Sequence, residues 1–237
     1  MDNLARPEEF ADFGRLFTDA VLADGSVAIT APLATFISDG AARPDLRSPY
    51  KYARGALVAD IAHFLNISHG RHPGIIDYAA HKIVDDAARK WLVRAIDGFA
   101  VERGFLNALT VAAGPERRRH GENKVAALIT SQAKNFEMLA SSDRKGCPAG
   151  AALAFAIDWQ RTRPLLAAVA LHVGTDVPQC ALPDIRECSA LAEKLGGNDA
   201  YARAMRFGGE QLLAQQRGLW QLIAARHAET LAASLSA

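Results

Sequence analysis

Hydrophobic side chains along this chain recur at intervals of three and four rather than two, the spacing that gathers them on one face of an α-helix. After Pro7, residues Phe10, Phe13, Leu16, Phe17 and Val21 mark a first amphipathic segment reaching about Leu22. The stretch from Gly25 to Ile37 is ambiguous, because Val27, Ile29 and Thr30 also suit a short strand. A proline-containing connection, Ala41 to Pro49, follows it. Leu57, Ile61, Phe64 and Leu65 then supply the core stripe of a helix predicted from Tyr50 to Asn66. That helix stops at Ser68-His69-Gly70-Arg71-His72-Pro73, where glycine suits the stop and proline the first turn of the next helix.

From Pro73 the helical pattern continues to about Ala113. A single rod of that length would span about 60 Å, twice its neighbours, so a break is expected near Asp97 and Gly98. Gly114 to Gly121 reads as a charged loop carrying Arg117, Arg118 and Arg119, and another helix covers about Asn123 to Ala140. A second stop and start, Ser141 to Pro148, places Cys147 at the N-cap of a deeply apolar helix with a kink expected at Pro164. Gly174 to Leu182 reads as a loop and Pro183 to Leu195 as a short helix. A last helical region starts at Asn198, with interruptions expected at Gly208 and Gly209. The prediction is an all-α fold: one domain over residues 1–237, a multi-helix bundle of about eight helices.

Composition narrows the function classes. Half of the 237 residues are hydrophobic and 22% are charged, enough to build a core unaided. The 27 basic residues nearly balance 26 acidic ones, so no general field draws nucleic acid, which is not an expected partner. Cys147, Cys180 and Cys188 are odd in number and form no CxxC pair, which reads as reduced thiols. The first ten residues carry Glu8 and Glu9 and lack the basic start and apolar run of a signal peptide. The most apolar stretch, Ala149 to Ile157, ends at Asp158, far short of the roughly 20 residues that span a bilayer. The expectation is a soluble cytoplasmic protein with no membrane partner.

The densest chemical signal is His63, His69, His72 and His81, four of the seven histidines within nineteen positions. Asp60 precedes His63 by one helical turn, while Asp77, His81 and Asp85 recur every fourth position. If the two faces converged across the hairpin, Asp60, His63, Asp77 and His81 would suit a divalent metal, zinc or a non-haem iron. The di-iron pattern of ferritin-like bundles needs Glu-x-x-His on two helices and further glutamates, and this chain departs from it: Asp60 and His63 imitate one pair with a shorter acid, and Glu102 or Glu137 would have to complete the set. The plainer reading carries more weight. In it His69 and His72 are solvated turn residues, and His63 and His81 bond to carboxylates of their own helices.

A second signal is a pair of basic turns leading into helix starts, Arg71 with His72 and Arg144 with Lys145, where a small carboxylate or phosphate ligand makes physical sense. Beside those cations Cys147 would have a lowered pKa. The break near Gly98 would put the two turns at opposite ends of the bundle; only an unbroken helix brings them together. Third, Asp158 and Glu102 sit within apolar runs and are candidates for an internal polar network, with Asp158 and Trp159 able to wall a pocket. His69, Arg71, His72, Arg144, Cys147 and Asp158 are therefore the candidate ligand-binding residues. No GK[ST] loop, GxGxxG, GxSxG, HExxH or paired CxxC is present.

The segments HGRHPGIIDYAAH at 69–81, FAVERGFLNAL at 99–109 and LASSDRKGCPAGAALAFAIDW at 139–159 resemble an uncharacterised helical family of alphaproteobacterial proteins, a likeness that runs from about Tyr50 to Gly174. It implies an all-helical fold and no particular activity. Length and helix content also suit a haem-oxygenase-like bundle, by architecture alone. Two functional readings follow: a bundle whose pocket binds a small ligand or metal around the histidine-rich hairpin, or a non-catalytic interaction protein, homodimeric through an exposed apolar face on the Leu212 to Leu231 helix.

Overall fold

The computed structural model describes residues 12–42, 49–115 and 122–236, and among these every regular element is an α-helix. In chain order they are α1 (Phe13–Asp24), α2 (Val27–Ala42), α3 (Pro49–His69), α4 (Ile75–Ala80), α5 (Asp86–Ala113), α6 (Glu122–Ala140), α7 (Cys147–Val173), α8 (Ile185–Leu195) and α9 (Asp199–Leu235). The Gly114 to Gly121 arginine loop and the Ala41 to Pro49 connection lie largely outside the described residues.

The bundle is organised around α7. Every residue from Cys147 to Trp159 is buried, and every other described helix packs against this one. A helix apolar on all sides has no solvent face to offer, so enclosure is the arrangement its sequence demands. Its alanines and Gly150 keep it thin enough to be surrounded, while Phe155, Ile157 and Trp159 fill the larger gaps. The closest approach is to α9. A Cβ on Gly150 would lie 1.9 Å from the Met205 carbonyl oxygen, and one on Gly208 would lie 2.1 Å from that of Cys147. The two backbones touch directly at these points.

That contact corrects two expectations. Gly208 and Gly209 do not interrupt the last helix, which runs unbroken to Leu235, because their missing side chains admit α7 and the Phe17 ring. Gly98 does not break α5: a Cβ there would sit 2.7 Å from the Ala181 backbone, so this glycine receives the loop before α8. The break falls instead between Ala80 and Asp86, where the Asp85 carboxylate caps α5 by accepting the Ala87 amide at 2.8 Å. The ambiguous segment after Gly25 is helix α2, with Pro32 inside it. Leu212, Leu213, Leu219, Trp220 and Ile223 are core residues, so the face expected to bind a second copy is occupied within the chain.

No single described helix is long and apolar enough to cross a membrane; α1 and α2 reach that apolar length only as a pair bent by 48°.

The close contact makes opposite predictions for two glycines. Gly150→Ala must force α7 and α9 apart and should cost about 2 kcal/mol or more, which lowers Tm by about 5 °C in a chain of this size. Gly104, in the middle of α5, has nothing within 4 Å of its missing Cβ. Gly104→Ala should therefore stabilise by about 0.5–1 kcal/mol through helix propensity alone. Thermal and urea unfolding of the two variants checks both signs.

Candidate functional site

The four residues proposed for a metal each have other surroundings. Asp60 is buried and takes the Arg226 guanidinium at 3.1 Å, with that guanidinium also 5.2 Å from the Phe64 ring centre. His63 bonds through Nε2 to the Gly114 carbonyl at 2.8 Å, closing the far end of α5 onto α3. Asp77 is buried and its Oδ2 accepts from the Gly74 amide at 2.8 Å and from Arg103 at 3.0 Å. His81 follows α4 and is exposed, so the expected Asp77, His81, Asp85 face does not form on one helix. The expected convergence is not seen: among the described residues no group of three or more His, Cys, Asp or Glu side chains is arranged to hold a metal ion.

His69 is not a solvated turn residue. It is the last residue of α3, 3% exposed, with its ring 5.0 to 5.7 Å from those of Phe136, Phe155 and Trp159. Its Nε2 meets the buried Gln216 side-chain oxygen at 3.2 Å. Burial among apolar rings disfavours the charged form and holds this imidazole down at about 4, against an ordinary 6.5; the Gln216 bond opposes the shift.

The internal polar network does form. Glu102 is fully buried and receives the Trp159 indole N–H at 2.9 Å and Arg163 Nε at 3.2 Å, while Arg163 also donates to the Pro178 carbonyl at 2.6 Å. Asp158 belongs to a different fastening. Its two oxygens accept the Ser26 amide at 2.7 Å and the Ser26 hydroxyl at 2.6 Å, which pins the α1–α2 turn to α7. Burial raises the Asp158 carboxyl and the Ser26 bonds lower it, with burial the larger effect. It walls no pocket.

Cys147 is the first residue of α7 and Gly146 its N-cap, at φ 96°, in the left-handed region where glycine alone is unstrained. Burial pushes the Cys147 thiol up, against the expectation of a lowered value; the Ser142 contact and the Arg144 charge only partly oppose it. Burial likewise takes Cys188 up to about 12. All three described thiols are free.

With α5 unbroken through Gly98, the stretch after α4 meets the basic α6–α7 turn, where Lys82 Nζ reaches the Asp143 carboxylate at 2.6 Å, while the basic hairpin turn at Arg71 and His72 lies against the middle of α6. Each turn borders a recess. The smaller, about 250 Å³, lies between the hairpin and α6 and is lined by Arg71, His72, Tyr78, Thr130, Lys134 and Glu137 among others. The larger, about 660 Å³, lies between the α6–α7 turn and the start of α9. Arg144, Lys145, Lys194 and Arg203 surround it, against one acid, Asp85, which is already engaged as the α5 cap. Arg203 is paired with Asp199, and the Arg144 guanidinium lies 5.1 Å from the Phe207 ring centre. Lys145 and Lys194 have no ion pair among the described residues. Tyr201, Leu195, Ala200 and Ala204 give the recess an apolar side.

Sequence reasoning named Arg144 and Lys145 as a basic turn at a helix start; Lys194 and Arg203, which the fold brings beside them, were not among its candidates. The signal was the same there as at the first two turns, a lysine before a Gly-Gly stop and a capping Asn198, whose side chain accepts the Ala200 and Tyr201 amides. Gly146 brings the α6–α7 turn against the first turn of α9: a Cβ on it would be 2.6 Å from the Tyr201 carbonyl.

The buried imidazole makes stability sensitive to acid. Above pH 6.5 His69 is neutral in folded and unfolded chains alike. Between 6.5 and about 4 the unfolded chain binds a proton that the folded one excludes, so folding weakens as pH falls through that window. By pH 4.5 the loss from this group should reach about 2–3 kcal/mol. His69→Gln should flatten the difference in urea-unfolding free energy between pH 7 and pH 4.5 by about that amount.

Comparison with known proteins yields no match among the curated proteins and none among the solved structures. A family model does match, over residues 38–230, a span that takes in both recesses, the His69 cage and the Asp60–Arg226 pair. The chain belongs to the family of unknown function DUF6975.

Proposed function

We propose that this chain binds a small organic anion, a phosphate or carboxylate carrying an apolar portion, in the cleft between the α6–α7 turn and the start of α9. The observation that carries the reading is the imbalance of charge around a concave space: Arg144, Lys145 and Lys194, with no ion pair among the described residues, and Arg203, held by Asp199, against one capping acid, Asp85, around about 660 Å³. That volume lies within the range usual for small-molecule sites, about 300–1,000 Å³. An anionic group would sit among Lys145, Lys194 and Arg144, and a ring or short alkyl part would lie against Tyr201 and Leu195. Because the cations are exposed and flexible while the backbone beneath them is fixed at Gly146, selectivity would come from the shape of the floor and affinity from charge. Free thiols at all three cysteines accord with a reducing compartment, and we place the protein in the cytoplasm on that ground.

Calorimetric titration with inorganic pyrophosphate tests the charge component directly. Binding should be measurable at low salt and weaken as ionic strength rises, since the cations face solvent. Lys145→Glu with Lys194→Glu, both exposed positions, should weaken it about tenfold or more while leaving the melting temperature within about 2 °C. Unchanged binding in the double variant would refute the assignment.

A further inference from the structure

We infer that the groove at the histidine-rich hairpin is a separate binding site for a small hydroxylated anion, a hydroxy acid or a hydroxylated phosphate monoester, with His72 Nε2 as the nitrogen that accepts the ligand hydroxyl's hydrogen bond. The inference does not depend on the reading of the larger cleft.

The hairpin fixes one nitrogen of His72 and leaves the other available. Asp77 Oδ2 already receives an amide N–H from Gly74 and a guanidinium N–H from Arg103, and the His72 Nδ1 lies 3.2 Å from the same oxygen. Toward the imidazole that oxygen acts as an acceptor, so Nδ1 carries the hydrogen. In the neutral ring, Nε2 is then the lone-pair nitrogen. The support is rigid: Asp77 and Arg103 are nearly buried, and the Arg103 guanidinium lies 5.4 Å from the Phe99 ring centre, itself packed edge-on to Trp159. The His72 side chain is 67% exposed and lines the groove, so a fixed carboxylate orients an accessible base.

The groove's other residues set the ligand class. Arg71 and Lys134 line it and have no ion pair among the described residues, so they are available to an anionic group. Glu137, the acid on the same wall, lies beside Tyr78, whose own proton is retained more tightly through desolvation and the Glu137 charge. A ligand with its carboxylate or phosphate between Arg71 and Lys134 can present a hydroxyl to His72. There the hydroxyl O–H donates a hydrogen bond to Nε2 while the Nδ1–H on the other side of the ring donates to Asp77, and no covalent bond is broken.

Labelling with diethyl pyrocarbonate at pH 8, read histidine by histidine by peptide mass spectrometry, tests this on the intact chain. The reagent is attacked at a carbonyl carbon by a lone-pair imidazole nitrogen, which leaves a carbethoxylated ring and releases ethyl carbonate. His72 should label about fivefold faster than His81, which is also exposed but has no ion pair among the described residues. Glycerol 3-phosphate should slow His72 at least about threefold and leave His81 unchanged, whereas uncharged glycerol should protect neither. Arg71→Ala with Lys134→Ala should abolish that protection. His72 labelling no faster than His81 would overturn the accepting role of Nε2, and equal protection by glycerol, or none by glycerol 3-phosphate, would overturn the anion clamp.

Discussion

Backbone contact between α7 and α9 is the constraint on which the rest depends. Gly150 against Met205 and Gly208 against Cys147 bring two helix axes as close as main-chain atoms allow. At that separation the start of α7 has no room for side chains on its α9 side, and Gly146 must turn in a left-handed conformation to enter the helix. The cations of the preceding turn are thereby set beside the first turn of α9 and the end of α8. The cleft is a by-product of how α7 enters the bundle, and its position is as fixed as the packing beneath it.

The buried carboxylates of this chain serve as fasteners. Asp60 holds Arg226 of α9 to α3, Glu102 ties α5 to Trp159 and Arg163 of α7, Asp158 secures Ser26 between α1 and α2, and Asp77 gathers Gly74, His72 and Arg103. Each draws donors from other parts of the chain, which is what burial of an ionised group requires. His69 follows the opposite rule: with aromatic rings around it and an amide for a partner, it stays in the fold as a neutral ring.

Much of the architecture was legible because helical periodicity and end signals are local. The stops at Gly70 and Gly114, the capping Asn198 and the apolar run of α7 all appear in the sequence and in the fold. The failures share one cause. Gly98, Gly208 and Gly209 were read as local breaks, yet each answers a neighbour distant in sequence, namely Ala181, Cys147 and Phe17. His69 was misread for the same reason, since nothing in HGRHP reveals that Phe136, Phe155 and Trp159 close over the first histidine and leave the second outside. The basic turns were visible as composition. Their surroundings were not, since the hairpin turn lies against the middle of α6 and the Cys147 turn against the start of α9.

The central claim is that the fixed α7–α9 junction presents a specific anion site rather than a generally basic surface. Amide chemical-shift mapping of the isotopically labelled chain during titration with pyrophosphate separates the two. The account predicts shifts concentrated at Arg144 to Gly146, Lys194 and Gly197 to Arg203, saturating together with one dissociation constant. Small, unsaturating shifts spread over lysines and arginines across the whole surface would contradict it.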